Sequence, residues 1–268
     1  MKFFISIVSH QHHDLIINLS VMKLLSAFPD VQVICSDNKP AEKLKQYCEK
    51  YHVHYIGNKS EQGFAENNNQ NYLYCESNLG MKKEDYFILL NPDILITKKN
   101  IQLLIKQLNK KPTMFATVNL FLDKEEIVHD DNVRLYPKFR DFLSTYLFNK
   151  RATMINRKHG LSASSHYWTS GAFMIVKSKL YKQLQGLDER YYMYCEDIDF
   201  SYRAKLAGIK LEYLSDIKAI HFRHCNSKQL FSKYFFWHVI SVFKYSFTKK
   251  KLVCTSSKLK NNNECSND

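Results

Sequence analysis

A chain of 268 residues with 45% hydrophobic content is long enough to bury one full core, so a single large α/β domain with an appendage is the expected division. Seven cysteines, an odd number with no CxxC pair, argue against a disulfide framework and a structural zinc site and point to a reducing compartment. The net charge of +13 is uneven: residues 223–268 carry nine Lys/Arg against two acids, +7 of the total, which suits an anionic partner or a solvated basic tail. Nucleic acid, acidic phospholipid and a polyprenyl diphosphate all satisfy that charge.

The N-terminal stretch MKFFISIVSHQHH holds an apolar run interrupted by Ser6 and lacks a small-residue cleavage site, so it reads as a first strand rather than a signal peptide. A second β-branched run, VQVICS, begins at Val31. Between the two, Leu15, Ile16, Leu19, Met22 and Leu25 recur at the spacing of one helix ending before Pro29. The pattern repeats. Pro40 opens a helix to about Lys50, a short strand follows near His52 to Ile56, and a helix from about Ala65 leads to the strand YFILLN, Tyr86 to Asn91. Such alternation predicts a mostly parallel sheet covered on both faces, with ligands at the carboxyl ends of its strands. Asp37-Asn38 and Asn91-Pro92-Asp93 both fall at strand ends and should meet on one rim. Residues 123–165 are irregular and receive no role. Residues 228–247 are aromatic and helical in spacing, and the chain beyond them reads as disordered. No stretch of 18 uncharged apolar residues exists, so no membrane span is expected.

The densest chemistry lies between Trp168 and His224. Glu196, Asp197 and Asp199 crowd three carboxylates onto a helix start, where repulsion and burial raise a pKa toward that of a usable base. A divalent metal and Arg203 are the expected counter-charges, with Asp199 pairing to Arg203 four residues on and Asp197 left as the general base. The plainer alternative is a surface helix with acids at its positive end. Tyr191, Tyr192, Met193 and Tyr194 form a wall suited to stacking on a sugar ring. His221, on the strand-like AIHFRH, is the expected third metal ligand, with His224 as its substitute, although a lone strand histidine is more often structural. Asp93 suits magnesium or manganese, which take few carboxylates and complete their shell with water and phosphate. The turn could equally cap the helix from Thr97 to Asn109. The segment from Gln62 to Asn69, QGFAENNN, sets a glycine and three amides at a helix start, where free N–H groups attract a diphosphate or form a plain cap. Asp37-Asn38 suits a ribose or base edge, or an Asx turn. His10, His12 and His13 border a nucleotide base or face solvent.

Taken in order, the strand-end Asp37-Asn38, the GFAENNN helix start, the LLNPDI turn and the block from SGAFMIV to EDIDFSYR and His221 resemble family 2 inverting glycosyltransferases of the GT-A fold. The similarity runs from about Lys2 to His224. Asn91 stands where that family's DXD element has its first acid. The block YYMYCEDIDF and the aromatic, basic C-terminal helix are similar to bacterial rhamnosyltransferases that add L-rhamnose to GlcNAc-diphosphate-polyprenol in O-antigen (lipopolysaccharide) assembly. The resemblance implies a GT-A, Rossmann-like catalytic domain over 1–224, an amphipathic helix over 225–248 and a flexible basic tail over 249–268. It implies a dTDP- or UDP-sugar donor at Ser9, Asp37, Asn38, Gly63, Asn68, Asn69 and Asn91, and Mn2+ or Mg2+ on Asp93 and His221. Asp197 would be the base, and Trp168, Gly171, Tyr194, Glu196 and Arg203 would face the acceptor. The implied partners are the nucleotide-sugar and a polyprenyl-diphosphate-linked acceptor, with no nucleic acid. The implied location is the cytoplasmic face of the plasma membrane, in peripheral contact with anionic lipid. The C-terminal stripe for that contact is read as Phe231, Tyr234, Phe235, Val239, Val242 and Phe243. The alternatives are the same fold with a UDP-hexose or UDP-galactofuranose donor, a metal-dependent nucleotidyltransferase, or a binding protein with a dead site.

Overall fold

A computed structural model describes residues 1–137, 141, 153–155, 161–162, 165–223, 233–248 and 255–259. Its strands are β1 (Phe3–Ser9), β2 (Val31–Asp37), β3 (His54–Gly57), β4 (Tyr86–Leu90), β5 (Ile94–Ile96), β6 (Phe115–Phe121), β7 (Val133–Leu135), β8 (Tyr167–Thr169), β9 (Phe173–Lys177) and β10 (Glu212–His221). Helices α1 (His13–Leu19), α2 (Val21–Ser26), α3 (Glu42–Lys50), α4 (Phe64–Asn78) and α5 (Lys98–Lys110) join the first strands. Later come α6 (Ser178–Gln183), α7 (Glu196–Leu206) and α8 (Lys233–Thr248).

Eight strands form one sheet in the order β3-β2-β1-β4-β9-β6-β10-β5, while β7 and β8 pair apart from it. The pairs β1–β2, β1–β4, β2–β3 and β6–β10 are parallel, as the alternation predicts; β9 runs antiparallel between β4 and β6, and β5 antiparallel to β10. Alternation along each strand splits the core between two faces. Phe3, Ile5, Tyr86 and Ile88 pack with residues of α2, α3 and α5, whereas Phe4, Phe87 and Leu89 pack with α4, α6 and α7.

The first helix is two. Ser20 takes a left-handed φ of 55°, and its hydroxyl donates to the Ile17 carbonyl, so the residue competes with the helical ladder and breaks it between α1 and α2. The asparagines of α4 also differ from expectation. Asn67, Asn68, Asn69 and Asn71 are fully buried, and they tie the helix to the sheet. Ser36 Oγ donates to Asn71, Asn71 Nδ2 donates to Ser6 Oγ at 2.8 Å, and Ser6 Oγ donates to Asn68 Oδ1 at 2.7 Å. Part of the tail expected to be flexible is docked: Glu189 N–H donates to the Ser256 carbonyl at 2.7 Å, Lys258 pairs with Glu66, and Leu259 is buried against the α4 side.

Replacing Asn71 by alanine removes the acceptor of the buried Ser36 hydroxyl and one of the two partners of Ser6 Oγ, so the unfolding free energy should fall by about 2 kcal/mol. Urea denaturation of the Asn71→Ala chain measures this, and a loss below about 0.5 kcal/mol would mean that the amide network holds nothing together.

Candidate active site

The carboxyl rim of the sheet collects Ser9, Asp37, Asn91, Asp93, the start of β9 and His221. Asp93 and His221 meet because β5 and β10 pair with Ile94 opposite His221, and the Phe222 N–H donates to the Asp93 carbonyl at 3.1 Å. His221 Nε2 lies 3.3 Å from Asp93 Oδ1, and His221 Nδ1 lies 2.5 Å from Asp130 Oδ2. Arg223 in turn donates to Asp130 Oδ1 at 2.6 Å and reaches Asp131 at 3.3 Å. Burial alone would lower the His221 pKa, but its bonds to Asp130 and Asp93 outweigh that and raise it to about 9. Burial would likewise raise Asp130, and the His221 and Arg223 bonds overturn it and hold that carboxyl below its usual range.

Among the described residues no group of three or more His, Cys, Asp or Glu side chains is arranged to hold an ion. Asp93 and His221 are a pair, one carboxylate and one imidazole, both at most 9% exposed. That donor set fits a divalent cation that takes the rest of its shell from phosphate oxygens and water. Asp130 fits behind it, since a carboxylate on the second ring nitrogen fixes how a ligating imidazole points.

Asp197 stands at the start of α7, where Gly171 N–H donates to Oδ2 at 3.2 Å and Ile198 N–H donates to Oδ1 at 2.8 Å. The next carbonyl, that of Ala172, accepts from Asn91 N–H at 2.9 Å, so two neighbouring residues of one turn join Asp197 to the Asn91–Asp93 turn. Burial raises the Asp197 pKa, and its backbone donors and the charge of Arg134 pull the other way. Glu196 is pushed well above the ordinary range, first by burial and then by the charge of Asp197, and its Oε2 has no hydrogen-bond partner among the described residues. Burial thus pushes both adjacent acids upward, Glu196 the further, while two N–H donors and the charge of Arg134 favour the ionised form of Asp197.

Arg203 supplies counter-charge to Asp199, and Arg134 supplies it to Asp197. Arg203 pairs with Asp199 at 2.7 Å, as its spacing predicts, but its guanidinium is taken up by the Leu184 and Gly186 carbonyls and does not line an acceptor site. Arg134 sits 5.6 Å above the Trp168 ring and 3.5 Å from Asp131. Trp168, expected at the acceptor, is 7% exposed and donates its Nε1–H to the Leu135 carbonyl, so it is a platform for Arg134. Tyr191, the first residue of the expected sugar wall, is fully buried, and Tyr192 packs at a tilt against Trp237 with ring centroids 4.5 Å apart. Tyr194 lies in the turn that leads into α7.

On the donor side, the start of α4 packs against the segment that precedes α7. Phe64 N–H donates to the Tyr192 carbonyl at 3.0 Å, and a Cβ on Gly63 would come within 2.6 Å of that same oxygen. Asn69 spends its amide on Tyr181, Leu187 and Glu189, and Asn68 on Ser6 and Phe64, so neither reaches the rim. Asn38 is committed to Asn58, Gln62 and Asn67. Asp37 accepts from Lys39 and Ala41 N–H in the manner of an Asx turn and also from Tyr55 OH at 3.1 Å. Ser9 stands opposite Asp37 in register, buried, with an Oγ that has no hydrogen-bond partner among the described residues. His224 and Phe231 lie outside the described residues.

A family model described as "Glycosyl transferase family 2" matches residues 16–182, more than half of the chain. The chain belongs to glycosyl transferase family 2. Rhamnosyltransferase WbbL of Escherichia coli K12 is 36% identical over 251 residues, covering 93% of this chain and 94% of that protein. The N-acetylglucosaminyl-diphospho-decaprenol L-rhamnosyltransferase of Mycobacterium tuberculosis is 28% identical over 144 residues, 52% of this chain and 47% of that one. The mannosyltransferase PcManGT of Pyrobaculum calidifontis, solved with GDP-Man and Mn2+, superimposes with a TM-score of 0.56 at 11% identity over 95% of this chain and 66% of its own, which shows the shared GT-A fold. The chain is thus a glycosyltransferase, and the nucleotidyltransferase and dead-site alternatives fall away.

Because the base works ionised and burial raises its pKa, the rate should fall as pH drops through a value above that of a free aspartate. Arg134→Ala removes charge that favours the ionised form, so the acid limb of its pH–rate profile should lie at higher pH than the parent's. Coincident limbs would remove Arg134 from the site.

Proposed function

We propose that this glycosyltransferase moves L-rhamnose from dTDP-rhamnose to the GlcNAc of a polyprenyl-diphosphate-linked acceptor, with inversion, in the assembly of a cell-surface polysaccharide such as O-antigen. The sugar and acceptor are inferred from the 36% identity to a rhamnosyltransferase over 93% of the chain and from the acceptor in the mycobacterial relative's name. The observation that carries the chemistry is Asp197: a carboxylate raised by burial, aimed by two backbone N–H groups and tied through Gly171-Ala172 to the Asn91–Asp93 turn.

In this reading Asp197 takes the proton from the acceptor hydroxyl as its oxygen attacks the anomeric carbon, and the nucleoside diphosphate leaves from the opposite face. Glu196, which burial pushes toward its neutral form, leaves the ionised form to be favoured at Asp197. Mn2+ or Mg2+ held by Asp93 and His221, with Asn91 beside them, would supply positive charge to the departing diphosphate. Ser9 and Asp37 would meet the nucleoside. The placing of the enzyme on the inner face of the plasma membrane is part of the same proposal. Val242, expected on the lipid stripe, packs with Tyr191, Cys195 and Ile198, and the outward face of α8 is Phe236, Ile240 and Phe243, each at least half exposed. Together with the +7 charge of residues 223–268, that face suits an anionic bilayer.

Product analysis with dTDP-rhamnose and a GlcNAc-diphosphate-lipid should show one added rhamnose, and transfer only from UDP-hexoses would refute the donor. Asp197→Asn should keep donor binding and lose transfer on the order of 10²- to 10⁴-fold; a variant working at the parent rate would unseat the base. Ile240→Asp with Phe243→Asp should reduce sedimentation with anionic vesicles several-fold, and undiminished sedimentation would reject the membrane face.

A further inference from the structure

The turn that presents Asp197 is not made of residues that favour it. Tyr194 and Cys195 have φ of 72° and 69°, two successive non-glycine residues in the left-handed region, immediately before α7. Such a conformation persists only where the surroundings enforce it. Here the enforcement comes from α8, far along the chain. Ser241 Oγ donates to the Met193 carbonyl at 2.9 Å, Lys244 Nζ donates to the Arg190 carbonyl, and the Trp237 ring lies on Tyr192. Positions 237, 241 and 244 follow helical spacing and so share one face of α8. Beside them Val242 and Tyr245 are buried against Tyr191, Cys195 and Ile198. The Tyr192 carbonyl between those two anchors is held from the other side by Phe64 N–H.

We propose that α8 is a positioning element for the catalytic base, with Ser241 and Lys244 as positioning residues that clamp the Arg190–Cys195 segment and so set where the Asp197 carboxylate points. The proposal rests on the reading of Asp197 as the base. It assigns to one face of α8 a part in the chemistry, separate from the outward face offered to lipid. The family model ends at residue 182, so neither the base nor this clamp lies within the segment it matches.

The test uses the full chain carrying Ser241→Ala, Lys244→Met or the conservative Lys244→Arg, each also combined with Asp197→Asn. Ser241→Ala and Lys244→Met should each lower kcat about 3- to 10-fold, the loss of one hydrogen bond, with nucleotide-sugar affinity by calorimetry unchanged and Lys244→Arg near the parent. In the Asp197→Asn background the same changes should lower the residual rate no further, because a clamp acts only through the group it aims. Hydrogen exchange at the amides of residues 191–198 should quicken in Ser241→Ala. An equal loss in both backgrounds, a fall in donor affinity matching the fall in kcat, or unchanged kcat and exchange would each overturn the clamp. If the parent itself transferred no sugar, the functional reading would fall, and the exchange measurement would still decide whether α8 holds this turn: quickened exchange supports it and unchanged exchange refutes it.

Discussion

The active site depends on a sheet that cannot lie flat. Three residues separate Leu90 from Ile94, four steps with a reach of at most about 14 Å, yet β4 and β5 stand four positions apart in the sheet order, about 19 Å in a flat sheet. The chain closes that gap only if the sheet curls. A register shift between Leu214 and Lys218 divides β10 where it runs beside β6, and the part beyond the shift, Ala219–His221, is the part that pairs with β5. Bulges of this kind bend a strand and strengthen its twist. The same short link therefore curls the rim and sets Asp93 beside His221.

Bringing those groups together concentrates charge out of water, and the structure answers it with alternating signs rather than with one partner. Asp93, His221, Asp130, Arg223, Asp131 and Arg134 form a chain of ion pairs whose last member faces Asp197. Each buried acid in it has a cationic neighbour, which is the condition for ionised groups to persist at low exposure. Glu196 has the acids Asp197 and Asp199 beside it instead, and burial drives it toward the neutral form.

The parts of this arrangement legible in the sequence were those delivered by regular elements. An apolar strand followed by Asn91-Pro92-Asp93, and a histidine on a strand, declare their position because period-two runs end at a rim. Asp199 and Arg203 declared their pairing by helical spacing. Asp130 and Arg134 did not, because they come from residues 123–165, where no periodicity says which way the chain runs; the acid pair after the apolar run FATVNLF was the one signal available. The asparagines of α4 misled for a different reason. Polar residues on a helix read as its solvent or ligand side, and nothing local reveals that the facing strands carry Ser6 and Ser36 in their interior. The first helix was read through Ser20 because hydrophobic spacing is blind to a hydroxyl that finds a carbonyl three residues back.

The position of the base along the chain has a structural consequence. Residues 16–182 hold β2, which ends at Asp37, the turn between β4 and β5 that carries Asp93, and the loop after β6 that carries Asp130, the side proposed for a nucleotide and its cation. Asp197, His221 and α8 follow after it. The proposed base is thus held from two sides, by Gly171 at the sheet rim and, through Arg190–Cys195, by a helix some 50 residues later. With Ser241, Lys244 and Trp237 facing that segment and Ile240 and Phe243 facing outward, α8 touches the base's support on one side and solvent on the other.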